Sequence, residues 1–486
     1  MTLRRVVVIG HGEAPAMAAI ALRRAFGRAD LDVEWIETPG AISPHHVLAG
    51  LPNLQSFHRL LGVDPGALLR STRGVFSLGR QYVGFADGEG EFLHSFGPTG
   101  RPIAGLPFMQ FWLKARAAGL PAGFSDFARE AVAARNGRLR IADANGLAAT
   151  AQGYHFDARS YAAAMRKLAP IHGVTVTADA APVAIAEAGR VTVLRLSDGR
   201  EIRADLFVDA TPGATIRSAL GDGAPEDAAV SSCNRLLLGS ARPLRPLPLY
   251  SRVAAHRAGW SALYPLQDRT GIAIAYDDAV IGDAEAASLA PVPLEEAPEI
   301  VRLAPFQHAR PWIGNVVAIG EAAGQAEPLS ASWLHRIQIA VTHLVSLFPV
   351  RADAMPEAGI YNEELAEWHA RLRDFDSAFY RLNRRTGETF WDAARVRPVS
   401  DALDARISLF GARGMVAQYN QDSFAEEEWQ ACFLGLGLVP RAWDPQVDRV
   451  DDQLVMADFR EQLAGIRGDV TAMETHEAAL ARATAR

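Results

Sequence analysis

Two cysteines in 486 residues, Cys233 and Cys432, are too few and too far apart for a disulfide framework or a thiolate metal site. They read as reduced thiols of a core. His45 and His46 stand side by side, but no third ligand follows at zinc spacing, so the pair reads as part of a solvated loop and no metal site is expected. No apolar run reaches the roughly 18 residues that a membrane span requires. A net charge of -7 and a pI near 6.0 give no electrostatic reason for a nucleic acid or an anionic membrane surface as partner. Repeats and low-complexity tracts are lacking. The first strand begins within five residues of Met1, which leaves no room for a signal peptide, and a cytoplasmic protein is expected.

What is present is ordinary globular material, 49% hydrophobic and 22% charged, in a chain long enough for two or more intertwined lobes. The most legible stretch is the first forty residues. Val6, Val7, Val8 and Ile9 form the short all-apolar run of a strand buried on both faces, and Gly10 and Gly12 follow at once. From Ala14, the residues Met17, Ala18, Ile20, Ala21 and Leu22 recur at helical spacing. Val33, Trp35 and Ile36 then make a second strand ending at Glu37. This is the β-α-β opening of a dinucleotide-binding domain: helix N-terminal amides, reached through a turn without side chains, hold a pyrophosphate, and the acid about 20 residues on accepts ribose hydroxyls. Two residues depart from that pattern. Pro15 stands where a third Gly or Ala is usual, and Glu13 puts a carboxylate beside the amides, where it can satisfy the helix dipole itself and repel a phosphate.

Farther along, Leu54, Phe57, Leu60 and Leu61 predict a helix, GVFSLGRQYVGF a strand, and residues 86 to 105 a long Gly/Pro-dense loop. LFVDATPG and NVVAIGEAAGQAEP repeat the theme of a buried strand leaving through a small-residue turn. The second of these continues as a small-residue helix from Ala322. Three such turns imply loops gathered at the carboxyl edge of one parallel sheet, where ligands bind. Beyond residue 355, Leu365, Trp368, Leu372, Phe375 and Phe379 fall at steps of three and four, predicting a core-facing helix, and the last forty residues read as a charged surface helix.

The order of these segments resembles the flavin-dependent tryptophan halogenases, a branch of the FAD monooxygenases. The likeness runs from Val6 to about Asp444. It is carried by the opening β-α-β, PNLQSFHRLLGVD at 52 to 64, RPIAGLPFMQFWLKAR at 101 to 116, YHFDARSYAAAM at 154 to 165, ADLFVDATPG at 204 to 213, WIGNVVAIGEAAGQAEPL at 312 to 329 and LHRIQ at 334 to 338. The resemblance implies an α/β, Rossmann-like FAD-binding fold with an inserted β-rich substrate lobe and a helical C-terminal region. The expected divisions are 1–214, 215–300, 301–350 and 351–486. It further implies FAD, held by Gly10, Gly12, Glu13, Ala14, Glu37, Asp209, Gly320, Ala322 and Gly324. A separate flavin reductase, a homodimer or a heterodimer with a related halogenase, and an aromatic small molecule or peptide substrate are the partners implied. Gln110, Phe111, Trp260, Trp333 and Trp429 would line the substrate pocket. In such enzymes FAD and oxygen turn halide into hypohalous acid, which passes through a tunnel to an indole. There a lysine polarises the acid and a glutamate stabilises the cation growing on the ring.

The residues that would carry this chemistry differ. The lysine position is Ser77, and Arg80, three residues on, would point to the opposite face of a strand. The glutamate position after Glu327-Pro328-Leu329 is Ser330, and Trp333 stands for a glycine of the halide-binding turn, where its bulk would crowd the backbone amides. The tunnel motif W-x-W-x-I-P keeps only its ends, Trp260 and Pro265, and the flavin-facing G-x-G-E-A-T-x-P reads His45 to Pro52. Two expectations stand side by side: a monooxygenase-class protein without the family's regular halogenation, or a non-catalytic partner that holds FAD weakly or not at all.

Overall fold

The computed structural model describes residues 3–27, 31–86, 90–141, 149–221 and 224–485. The chain divides into two compact units, each assembled from three separate stretches. The first contains Met1–Gly74, Phe156–Ala229 and Leu303–Ala370, and the second Val75–His155, Val230–Arg302 and Arg371–Arg486. These divisions differ from the expected ones: residues 75–155 join the second unit, and the segment after 351 is shared between the two.

The first unit is built on a six-stranded sheet. Its order is Trp312–Ile313, Val316–Ala318, Leu206–Ala210, β1 (Arg5–Gly10), β2 (Asp32–Glu37) and Thr175–Ala178. All neighbours are parallel except the first pair, and Val8 stands between Val208 and Trp35 in register. The all-apolar run predicts this placement, since Val6 through Ile9 are fully enclosed, as a central parallel strand requires. Helix α1 (Glu13–Phe26) packs on β1 and β2. An antiparallel trio, Val183–Glu187, Arg190–Arg195 and Glu201–Ile202, contributes Val191, Leu194 and Ile202 to the same core as Val7, Ile9 and Phe207. Gly10 is required at the end of β1, because a Cβ there would lie 2.6 Å from the Ala210 carbonyl oxygen. The helix expected from Ala322 is instead a single 3₁₀ turn, Gly320–Ala322, followed by a two-residue strand, Gly324–Gln325, paired with Phe306–Gln307. Strand pairing wins over small-residue helicity there. The backbone of Phe306 approaches Gly324 so closely that a Cβ would sit 2.6 Å from its oxygen.

The second unit carries a seven-stranded sheet, ordered Glu299–Arg302, Arg235–Ala241, Thr270–Tyr276, Gly259–Pro265, Tyr250–His256, Gly79–Val83 and Glu91–Ser95. Only the Tyr250–His256 and Gly79–Val83 pair is parallel. The strand Glu91–Ser95 falls inside the segment read as a long loop, of which 87–89 lie outside the described residues. The sheet's apolar cluster of Leu237, Leu263, Ile272, Ile274 and Tyr276 is joined in this unit by a dense aromatic one: Phe379 meets Tyr82 with its ring tilted, centroids 4.3 Å apart, and Phe375 stacks on Phe424 at 3.8 Å. Such pairs add about 0.5–1.5 kcal/mol each beyond area burial.

Candidate cofactor and catalytic site

In the first unit the turns after β1, Leu206–Ala210 and Val316–Ala318 lie at the carboxyl ends of adjacent parallel strands, as the three strand-and-turn segments predict. Their polar groups are engaged within the chain. Asp209 is fully buried. Its carboxylate accepts from the Thr211 amide at 2.9 Å, the Thr211 hydroxyl at 2.6 Å, and the Ile216 and Arg217 amides at 2.8 Å each. Burial pushes its carboxyl above the usual range, and these donors pull the other way. Glu37, at the end of β2, has both oxygens engaged by Nε of Arg166, at 3.1 and 3.0 Å.

The first turn of α1 is the informative place. Gly12 precedes it with φ +86°, a conformation that favours glycine, and Glu13 is the first residue of the helix. Its carboxylate meets Trp333, whose indole Nε1 donates to Glu13 Oε1 at 2.5 Å. The benzo edge of that indole faces Gly320, where a Cβ would be 3.8 Å from Trp333 Cη2 and 2.9 Å from Ala14 Cβ. One side chain therefore reaches both the turn after β1 and the turn after Val316–Ala318. Ala322 is buried in a small-residue cluster with Ala214, Ala318 and Ala323. Ser330 is 4% exposed, and its hydroxyl has no hydrogen-bond partner.

Ser77 belongs to the second unit, buried, with its hydroxyl donating to the Gly79 carbonyl at 3.1 Å. Arg80 is buried too: its Nε donates to Ser251 Oγ at 3.0 Å, and Tyr82, Tyr264 and Asp376 surround it. Of the residues expected to line a substrate pocket, Gln110, Phe111, Trp260 and Trp429 are buried in this unit, and Trp333 is half-buried in the first. Trp260 is fully enclosed and donates to the Tyr380 hydroxyl at 3.1 Å, and Phe111 is 1% exposed. Gln110 donates to the Arg413 carbonyl at 3.0 Å and accepts from the Asp444 amide at 2.8 Å. Trp429 lies under the Arg406 guanidinium, 4.4 Å from ring centre to Cζ. A cavity of about 650 Å³ in this unit is walled by other residues, among them Phe92, Trp112, Phe124, Trp443 and Arg116.

The tryptophan halogenase family model matches residues 5–452. The chain belongs to the tryptophan halogenase family. Among its relatives, tryptophan 7-halogenase KtzQ of Kutzneria sp. (strain 744) is 27% identical over 445 residues, covering 84% of this chain and 82% of that protein. Xcc4156, a flavin-dependent halogenase from Xanthomonas campestris, superposes with a TM-score of 0.93 at 30% identity, over 99% of this chain and 98% of its own. BrvH, a flavin-dependent halogenase from Brevundimonas sp. BAL3, gives 0.92 at 29%, over 99% of both chains. The Rossmann-like fold is that of the family, whose cofactor is FAD and whose members work with a flavin reductase on aromatic substrates. No described helix is long and apolar enough to cross a membrane, and no metal-binding group of His, Cys, Asp and Glu exists among the described residues.

Part of the FAD frame is retained: space around Gly12, the close approach at Gly10, and an acid closing β2. The diphosphate end does not fit the group. Pro15 supplies no amide in the first turn, the Glu13 carboxylate adds a negative charge to that turn, and the Trp333 indole links the two turns that would flank the flavin. The Glu13–Trp333 contact was invisible to local pattern reading because 320 residues separate its partners. The only signal was that both residues depart from what the resemblance implies.

Proposed function

We propose that the protein is a divergent tryptophan halogenase-like member of the FAD monooxygenase class that does not perform the family's regular halogenation. The observation that carries this reading is the pair of serines, Ser77 and Ser330, at the positions the resemblance gives to the lysine and the glutamate. A hydroxyl cannot supply the cation that polarises hypohalous acid, nor the carboxylate that stabilises the arenium charge. Neither serine is poised for other acid–base work, since the Ser77 hydroxyl is spent on a backbone carbonyl and Ser330 has no neighbouring base to activate it. The nearby cation Arg80 is committed to Ser251 and its tyrosine neighbours. The test is a product assay with purified protein, flavin reductase, NADH, FAD, bromide or chloride, and a panel of indoles and tryptophan-containing peptides, read by mass spectrometry. No halogenated product is expected; catalytic halogenation of any member of the panel refutes the reading.

The Glu13–Trp333 contact favours a second reading, a non-catalytic subunit that associates with a catalytic relative or with a second copy of itself. Co-expression with a related halogenase, followed by size-exclusion chromatography with light scattering, separates a heterodimer from a homodimer and from a monomer. A monomer under all conditions removes this reading.

A further inference from the structure

We infer that Trp333 and Glu13 form a latch that closes the flavin position in the first unit, so that FAD binds only when this contact opens. Three observations carry the inference. First, the two residues satisfy each other: the indole N–H donates to the Glu13 carboxylate at 2.5 Å, and that carboxylate is 9% exposed at the start of α1. Second, the indole links the turns following β1 and Val316–Ala318: it donates to Glu13 at the start of α1, and its ring carbons lie 3.8–3.9 Å from where a Gly320 Cβ would stand. These turns are the walls between which a dinucleotide sits at the carboxyl edge of a parallel sheet. Third, Trp333 opens the helix Trp333–Ser346 directly after the segment that holds Ser330, so movement of the latch is tied to the loop bearing the glutamate position.

The consequence is a competition. A diphosphate arriving at the α1 N-terminus meets a carboxylate already there, and ring atoms arriving between the two turns meet an indole. Opening the latch leaves Glu13 without its donor beside the incoming phosphates, so FAD bears both the loss of the contact and the repulsion of like charge. Apparent affinity then falls by the fraction of molecules that are open. A latch closed nine-tenths of the time gives about a tenfold weakening, and a tighter one gives more.

The test is FAD titration of the full-length apo protein, followed by flavin fluorescence quenching and visible absorption, for the native chain and for Trp333→Gly, Trp333→Phe and Glu13→Gln. Trp333→Gly is expected to tighten FAD binding at least about tenfold. Trp333→Phe, which keeps the bulk but loses the donor, and Glu13→Gln, which removes the charge, fall between it and the native chain. Circular dichroism checks the fold, and the two milder variants carry the test if the glycine variant unfolds. Equal FAD affinity across the native chain and the folded variants, whether strong or undetectable, overturns the latch. This result is separable from the halogenation reading, which rests on Ser77 and Ser330 alone. A chain that binds FAD freely and makes no halogenated product defeats the latch and leaves that reading standing.

Discussion

The carboxyl edge of the parallel sheet in the first unit and the aromatic core of the second resolve the same problem, placing polar or indole groups inside a fold, in opposite ways. At the sheet edge, Asp209, Glu37 and Glu13 are acids at positions where a dinucleotide site keeps groups available, and each is engaged by another part of the chain. In the second unit, Trp260, Trp429 and Phe111 are side chains at positions that would line a pocket, and each is enclosed by neighbours. One region has closed with hydrogen bonds and the other with packing. Change at the first should therefore cost stability through orphaned hydrogen-bond donors, and change at the second through lost packing.

The sharpest way to break this contrast is at Asp209. Asp209→Ala leaves three amides and a hydroxyl without their acceptor in a fully buried site, and at about 1–3 kcal/mol for each orphaned donor a loss of about 4 kcal/mol or more is expected in urea denaturation of the full chain. A loss below about 1 kcal/mol would mean that the edge is not held as described. In the second unit, Trp260→Ala removes an enclosed indole and the bond it donates to the Tyr380 hydroxyl, for about 3–5 kcal/mol by the same measurement. A mild effect there, together with weaker binding of indoles, would return Trp260 to a pocket role.

Acid titration probes both regions at once. Burial pushes His58, hydrogen-bonded to Tyr161 in the first unit, down to about 4, and His155 and His476 in the second down to about 3 and about 4. The folded chain thus holds these rings neutral while the unfolded chain protonates them near 6.5. Stability is whole above pH 6.5 and is lost as pH falls from there through about 4, by up to about 3 kcal/mol per ring. Thermal denaturation against pH checks the slope, and His58→Gln should flatten it. The smallest effect belongs to Ser330→Ala. Its hydroxyl is buried without a partner, so removal should leave stability within about 0.5 kcal/mol of native or raise it slightly. A large loss would reveal a bond to that hydroxyl.

The frame of the first unit was legible because continuous burial writes itself locally: Val6–Ile9, Leu206–Ala210 and Val316–Ala318 are short apolar runs meeting small residues, and they became neighbouring strands. The helical spacing after 355 likewise became Glu357–Arg381. The small-residue stretch at Ala322 misled because alanine and glycine carry a helical pattern without the side chains that enforce it, and a strand partner at Phe306 decided the outcome. The surroundings of Arg80 were equally hard to read from local pattern. Counting alternation from Ser77 assumes one continuous strand, yet Val75–Ser77 and Gly79–Val83 are separate strands, and the guanidinium is buried against Ser251. The site was legible as a set of missing charges, since Ser77 and Ser330 stand in recognisable surroundings. What replaced them was not, because Trp333 and Glu13 meet only in three dimensions.

Asp209 also bears on whether its turn needs a ligand to be complete. Many nucleotide-binding turns acquire their last hydrogen bonds from the bound phosphate, so the folded population follows the supply of the vitamin from which the cofactor is built. Here a carboxylate within the chain serves the amides of Thr211, Ile216 and Arg217. That turn completes its bonding without a ligand, and its amides should resist hydrogen exchange equally with and without added FAD.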